Sequence, residues 1–568
     1  MASISADSNP QAQGKFFETQ RGRAILENLT AYLFLAPAAL VIFTFGIFPV
    51  GFAFFVSMHK WRRLAEEWEG LDNYVEALGN VAFVLFFWLA VGALVYGAYR
   101  LWTWLQASRE ERVALTYIVP GVAIVAAIIA VVVWFFRLLP IVLEAPVRLR
   151  GTLITRESFI NEFFASFTYP QVTSVASIML VLLAVASVLT IVWWRQMPAK
   201  HASDYLIMIV TGGVLLVLGA WLMNMTLSEI NLAIAEARAD GEPIPIWSNI
   251  IFISAGTALL GLAVWLWNRT VHDHAHRQTL ARLFAVVVAV VGGVFLIREL
   301  PIAFAQADDD VLRAFNVTVM YSVFSVPLQL TLGLLIAILL FQNIKGQSFF
   351  RVVYFLPYIT PFVATSVVFS LIFGPSDNSP INQLMLSLGV EPQNWLREPQ
   401  GIIELIVGED RLIALFGERV AAWIVGPSLA LMVIIFYNVW IYAGYSAVIF
   451  LAGLGSIPTD VYEAARIDGA NRWHQFRHIT LPLLSPTTFF LILISTIGTF
   501  QAFTQIFLMR RPGAYDAVDT INLEIYGEIT SGTPDYAYGS AMAFVLFAVI
   551  LTLTLIQNRV VGSRVFYG

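Results

Sequence analysis

The chain has 568 residues, 58% of them hydrophobic and only 12% charged, with a formal net charge of −5. A soluble domain cannot hide that much apolar surface, so the composition specifies a polytopic membrane protein and excludes a soluble enzyme. A weak negative balance argues against nucleic acid as a partner. The absence of cysteine excludes disulfide frameworks and thiolate metal sites.

Residues 1–30 form a polar tail with an amphipathic piece around Lys15 to Leu29, placed at the membrane interface. No cleavable signal peptide is evident, because the first apolar run is long enough to span. A hydrocarbon core of ~30 Å demands about 20 apolar residues per helix. Twelve such runs follow, roughly 31–58, 81–99, 113–136, 172–194, 205–225, 247–267, 281–297, 317–341, 352–373, 427–453, 483–508 and 537–557. None carries Lys, Arg, Asp or Glu in its core. Backbone groups in lipid must be satisfied internally, so runs of this length predict an all-α fold of about twelve transmembrane helices. Pro37, Pro49, Pro120 and Pro357 mark expected kinks.

An even number of spans puts both termini on one side. Lys and Arg divide nearly evenly between the two sides, so charge orients the chain only weakly.

One polar stretch stands out between the tenth and eleventh runs. It reads Glu463-Ala464-Ala465, three residues, Gly469, nine residues, Ile479, one residue, Leu481-Pro482. Asp460 is placed to cap a helix, with Glu463 completing a capping-box pair. Ala464 and Ala465 keep one face narrow for close approach to a partner. Gly469 permits a sharp departure from the helix. Arg466, Arg472 and Arg477 offer charged contacts to an acidic groove, and Pro482 stands at the entrance to the next span.

This spacing resembles the signature loop of bacterial ABC-importer permeases. Gly70-Leu71-Asp72-Asn73-Tyr74, Asn316-Val317-Thr318, Gly333-Leu334-Leu335-Ile336-Ala337, Phe350-Arg351 and Phe355-Leu356-Pro357-Tyr358-Ile359-Thr360-Pro361 also look like stretches of that family, as do Asn382 and Asn394-Trp395-Leu396. The resemblance is to the MalF-like subunit of maltose and glycerol-phosphate importers. It divides the chain into a cytoplasmic tail (1–30), a first core helix with a periplasmic segment (31–78), an inserted membrane region of unknown role (79–310), and the remaining permease core (311–568) with a coupling loop at 456–482. The fold implied is a six-helix type I importer core interrupted by six inserted helices.

The resemblance implies a transport subunit, not an enzyme, with no catalytic residues and no metal. Glu463, Ala464, Ala465, Arg466, Asp468, Gly469, Ile479, Leu481 and Pro482 would couple to an ATPase. The chain holds no Gly-x-x-x-x-Gly-Lys-Ser/Thr phosphate loop. ATP and Mg would therefore be bound by the partner ATPase, and no cofactor is expected in this chain. Further implied partners are a second permease subunit, an ATPase dimer on the cytoplasmic side, an extracytoplasmic substrate-binding protein and the lipid bilayer. The location implied is a bacterial-type cytoplasmic (inner) membrane with both termini cytoplasmic.

Solute contacts are expected from polar and aromatic groups at mid-membrane. Asn438, Ile441, Tyr442 and Tyr445 fall at i, i+3, i+4 and i+7 on one face. Thr499, Phe500, Gln501, Phe503, Thr504 and Gln505 crowd the eleventh run. Amides and hydroxyls there suit sugar hydroxyls, and aromatic faces suit the C–H side of a pyranose. The resemblance adds that relatives hold sugar contacts at positions matching Tyr442, Tyr445 and 500–505. Bonds between helices are the competing reading for each residue.

Two other functions compete with sugar uptake. An ion-coupled secondary transporter normally needs ionisable residues inside its spans, and a noncatalytic membrane scaffold is compatible with the insert alone. The signature loop disfavours both. His272, His274 and His276, and Asp308 to Asp310, read as solvated loop residues. The inserted spans, with few polar residues, read as a peripheral scaffold; seating a binding protein on loops 137–171 and 225–246 is the alternative.

Overall fold

The computed structural model describes residues 20–61, 65–149, 155–196, 201–241, 244–270, 276–342, 345–417, 422–562 and 565. Helix dominates, and among the described residues the only sheet is one short hairpin. The histidine-rich stretch at 271–275 lies outside the described residues.

The first span comprises α1 (Gln20–Ile42), a π-helical turn (Phe43–Ile47) and α2 (Phe48–Val56). Pro49 sits in the first turn of α2, where a missing N–H costs nothing, and the π turn absorbs the resulting mismatch. The hairpin β1 (His59–Trp61) and β2 (Ala65–Trp68) follows, then α3 (Asp72–Leu78). Next come α4 (Val81–Glu110), α5 (Ile118–Leu143), α6 (Arg156–Ser166), α7 (Pro170–Gln196), α8 (Ala202–Ala239), α9 (Ile246–Thr270) and α10 (His276–Ala303). The remaining elements are α11 (Asp309–Phe341), α12 (Gln347–Ile359), α13 (Phe362–Ile372), α14 (Leu429–Gly455), α15 (Thr459–Ile467), α16 (Arg472–Gln475), α17 (Ser485–Phe500), α18 (Ile521–Thr530) and α19 (Tyr536–Val560).

Among the described residues, ten helices are long and apolar enough to cross a membrane unbroken. The ninth predicted run is instead α12 and α13, bent by 93°. Proline disfavours helical backbone in the residue before it, and Thr360, preceding Pro361, is extended at φ −69°, ψ 139°. The eleventh is bent by 60° at its start, where Arg472–Leu483 meets α17. It also ends at Phe500, earlier than the predicted 508. The described helices run past the predicted apolar cores, bringing Arg100, Glu229 and Glu299 inside helical segments.

Burial locates the centre. In α14 67% of the most apolar stretch is buried, against 6% in α7. Glycines let the central helices touch: a Cβ on Gly333 of α11 would stand 3.0 Å from the Ala443 carbonyl oxygen of α14. A Cβ on Gly444 would stand only 1.8 Å from the Tyr354 carbonyl oxygen of α12. Thus α14 is wedged between α11 and α12 by small residues, the usual device for close helix approach in membranes.

The segment from α4 to α10 leaves and rejoins the rest at one place. The Asn80 N–H donates to the Ala303 carbonyl at 2.8 Å, and the Asp308 N–H donates to the Glu76 carbonyl at 2.9 Å. Gly79, at φ +59° and ψ −148°, lets the backbones meet there; a Cβ would lie 2.5 Å from the Ala303 oxygen. Asp308 is not a merely solvated acid. It caps α11 through the Asp310 N–H and accepts from the Tyr538 hydroxyl at 2.7 Å. Asp310 pairs with Arg313 at 3.0 Å. The inserted helices carry one polar chain the apolar pattern hid: Asn80 donates to Asn249, which donates to buried Glu299, each at 3.3 Å.

Candidate functional site

A cavity of about 170 Å³ opens between α11, α12, α14 and α17, lined by Gln329, Tyr358, Asn438, Tyr442, Tyr445, Ile494, Ser495, Gly498 and Thr499. Two buried carboxamides meet in it, Asn438 Nδ2 donating to Gln329 Oε1 at 3.0 Å. Thr499 donates to Ser322 at 2.7 Å. Tyr358 stacks on Tyr445 with centroids 4.6 Å apart and meets Tyr442 edge-on at 5.9 Å. Among the described residues the lining holds no charged side chain.

Four of the ten expected solute residues line this cavity: Asn438, Tyr442, Tyr445 and Thr499. Ile441 is fully buried in the packing between α11, α14 and the chain around 502–523. Phe500 is buried in the core shared with the inserted helices. Gln501 and Thr504 are exposed. Phe503 stacks on Phe507 at 5.4 Å, and Gln505 donates to the Tyr321 hydroxyl at 3.3 Å.

The end of α17 at Phe500 explains this split. The face of α17 turned to the cavity is 494, 495, 498 and 499, which overlaps the expected cluster only at Thr499. Gln329 was overlooked, although a lone amide in the eighth apolar run was the available signal. Tyr358 lies within the Phe355–Pro361 stretch that carries part of the family resemblance.

The polar loop is ordered. α15 begins after Pro458, which caps without a side-chain bond, so Asp460 lies in the first turn and is not the cap. α15 ends in a Schellman motif: the Ala470 N–H donates to the Ala465 carbonyl at 2.9 Å and the Gly469 N–H to the Arg466 carbonyl at 3.1 Å. Gly469 supplies the left-handed residue this closure requires, at φ +81°. Asn471 caps α16 through the His474 N–H at 2.8 Å, and the Tyr462 and Thr480 hydroxyls lie 3.0 Å apart. Glu463, Ala464, Arg466, Asp468 and Gly469 are exposed, Ala465 and Ile479 are half-buried, and Leu481 and Pro482 are exposed. Ile467 is 86% exposed and Trp473 62%, an apolar pair left bare beside Arg466 and Arg472.

At the opposite end of α17 and α19, acids gather where the inserted helices meet α3, α11 and α18. Burial, then the nearby Asp519, Asp310, Asp308 and Glu528, push the Glu524 carboxyl up to about 7. Burial, then Asp308 and Asp535, raises Glu76 as well. Among the described residues no group of three or more His, Cys, Asp or Glu is arranged to hold a metal.

A family model described as the binding-protein-dependent transport system inner membrane component matches residues 329–567, which hold the loop and all nine residues that line the cavity. The chain is 32% identical over 253 residues to the arabinooligosaccharides transport system permease protein AraP of Bacillus subtilis, covering 43% of this chain and 70% of that one. It is 30% identical over 244 residues to the trehalose/maltose transport system permease protein MalF of Thermococcus litoralis, covering 43% and 72%. It is 31% identical over 230 residues to a probable ABC transporter permease protein of Pyrococcus horikoshii, covering 40% and 69%. With its multi-pass helical fold, its ordered loop and these relatives, the chain belongs to the family of binding-protein-dependent ABC transporter permeases.

Proposed function

We propose that the chain is the larger permease subunit of an ATP-driven importer for a carbohydrate, meaning a sugar, an oligosaccharide or a polyol. The observation that carries the coupling role is the closed loop at 456–482. Its first helix is fixed at the C-terminal end by the Schellman motif and tied to the next segment by Tyr462 and Thr480, yet it leaves Glu463, Ala464, Arg466 and Ile467 bare. A rigid, exposed element of this kind can be moved as a unit by a partner. In this reading an ATPase dimer on the cytoplasmic side grips the loop, and its closure biases the permease between two access states. ATP and Mg are bound by that partner. A second permease completes the cavity, an extracytoplasmic binding protein delivers the solute, and both termini face the cytoplasm.

The carbohydrate assignment is supported by amides, hydroxyls and tyrosine faces converging on one small cavity, and by the sugar-transport names of the relatives. Residues 79–310 act as a peripheral scaffold, inserted between 31–78 and 311–568. That reading is supported by the meeting of the two ends at Asn80 and Ala303 and by the apolar exposure of α7.

The docking reading is tested by placing a photo-crosslinking residue at Ile467 or, as a control, at exposed Glu391 in the co-expressed transporter. Capture of the ATPase from Ile467 alone is expected. Equal capture from both positions, or none from Ile467, removes the assignment.

A further inference from the structure

The polar loop at 456–482 carries a histidine pair that the coupling reading leaves without a task. We propose that His474 and His478 together chelate one transition-metal ion of the zinc, nickel or copper type, and that the ion fastens α16 to the turn that follows it.

Local structure sets the pair up. α16 (Arg472–Gln475) continues in helical backbone into a π-helical turn (Phe476–Thr480), a form often found at functional sites. Residues four apart on a helix lie on one face, and both histidines are exposed. Their ring centroids stand 5.6 Å apart, with the planes 15° from parallel. With metal–nitrogen bonds of about 2.0–2.1 Å, two imidazoles on one ion leave roughly 5–6 Å between ring centres. The spacing suits a shared ion.

The hydrogen bonds also decide which ring nitrogen carries the proton. His474 Nδ1 lies 2.9 Å from Asn471 Oδ1, and that oxygen already accepts the His474 backbone N–H as the cap of α16. His478 Nδ1 lies 3.2 Å from the His474 carbonyl oxygen. Both oxygens can only accept, so each Nδ1 is the donor, and in each neutral ring the Nε2 lone pair is left for a metal. An imidazole held from its far side by an N–H bond to a carbonyl is how metal-binding histidines are commonly oriented.

Charge and ligand type select the ion. Arg472 and Arg477 stand close to the pair in sequence and oppose any cation held by charge alone. Magnesium and calcium also require oxygen ligands. Zinc, nickel and copper bind imidazole nitrogen through its lone pair, and no cysteine in the chain competes for them. The positions that two histidines leave open are filled by water.

The experiment is diethyl pyrocarbonate modification of the purified full-length chain at neutral pH, read histidine by histidine by mass spectrometry. The probes are zinc chloride and nickel chloride, against magnesium chloride. A bound ion slows modification by 1 + [L]/Kd, so at ten times Kd both His474 and His478 should react about tenfold more slowly. Magnesium should change nothing. His59 is the internal control: its Nδ1 is likewise held by a carbonyl, that of Phe55, but no histidine lies four residues away.

His474→Ala and His478→Ala distinguish a chelate from two separate rings. His474→Ala keeps the backbone carbonyl that holds His478, so a change at His478 reports the shared ion and not a lost hydrogen bond. In each variant the remaining histidine should lose its protection by zinc. Zinc should also slow amide hydrogen exchange across 476–480 in the unaltered chain and in neither variant. Protection that persists at the remaining histidine, equal protection of His59, or no protection of the pair by zinc or nickel overturns the chelate. Protection of both rings with unchanged exchange overturns the fastening.

Discussion

The hydroxyls of Tyr462 and Thr480 lie 3.0 Å apart and join the two halves of the polar loop across 18 residues of chain. Thr480 is buried and also donates to the Gln475 carbonyl, so the tie continues into the π-helical turn at Phe476–Thr480. In the proposed coupling role this cross-brace would let the two halves of the loop move together.

Tyr462→Phe removes the brace and little else. One partly exposed hydrogen bond is worth about 1 kcal/mol, so backbone amides of α15 should exchange hydrogen roughly fivefold faster. Exchange mass spectrometry of the purified chain reads this directly. Unchanged exchange across 459–467 would show that the tie carries no rigidity.

The wedge of α14 against α12 allows no added atom at Gly444. A methyl group there meets the Tyr354 carbonyl oxygen at 1.8 Å, a contact with rigid backbone. Gly444→Ala should separate the two helices at a cost of roughly 1–3 kcal/mol, seen as a lowered thermal midpoint and a disturbed Tyr358–Tyr445 stack. Gly498, with open space around it, is the control position and should tolerate Ala with little change.

Where the inserted helices join the rest, Gly79 holds a backbone conformation open essentially to glycine alone. Gly79→Ala should cost about 1–3 kcal/mol from strain, with the clash against the Ala303 oxygen adding to it. Limited proteolysis should then cut faster between 303 and 308, while the loop at 456–482 stays as resistant as before.

The raised Glu524 carboxyl has a definite sign. A folded-state pKa of about 7 against an ordinary 4.5 means the folded protein holds the proton more tightly. Stability is therefore full below about pH 4.5 and falls as pH rises toward 7. The group is partly solvated, so screening reduces the effect to roughly 1–2 kcal/mol. Glu524→Gln should flatten this part of the pH–stability curve and be the more stable form at pH 8. A wild-type curve that rises between pH 5 and 7 in parallel with the variant's would contradict the assignment.

Much of the fold was legible because membrane thickness dictates it: each of the twelve apolar runs corresponds to a span or a bent pair. What stayed hidden depends on contacts between distant segments. The break at Thr360–Pro361 lies inside an unbroken apolar run; the kink expected there is at Pro357, which stays inside α12, whereas the chain turns before Pro361. The loop's spacing was readable, but its N-terminal cap was not, since Pro458 initiates α15 without the side-chain bond that Asp460 was expected to make. On α14 three of the four side chains that the helical period groups on one face, Asn438, Tyr442 and Tyr445, line the cavity, while Ile441 is buried away from it. On α17 the period could not help, because the helix ends at Phe500 and the side chains beyond it follow different backbone. The Asn80–Asn249–Glu299 chain joins residues far apart in sequence, and no local pattern marks it.

Gly469 tests the coupling role most directly. Its φ of +81° is closed to proline, whose ring fixes φ near −65°, so Gly469→Pro abolishes the Schellman closure and re-aims α15. The measurement is solute uptake together with ATP hydrolysis by the complete transporter in proteoliposomes, with and without loaded binding protein. The expected result is an inserted, assembled complex whose ATPase no longer responds to loaded binding protein and whose uptake falls at least tenfold, a loss of about 1.4 kcal/mol in coupling. Normal uptake by a correctly assembled Gly469→Pro transporter would contradict the account.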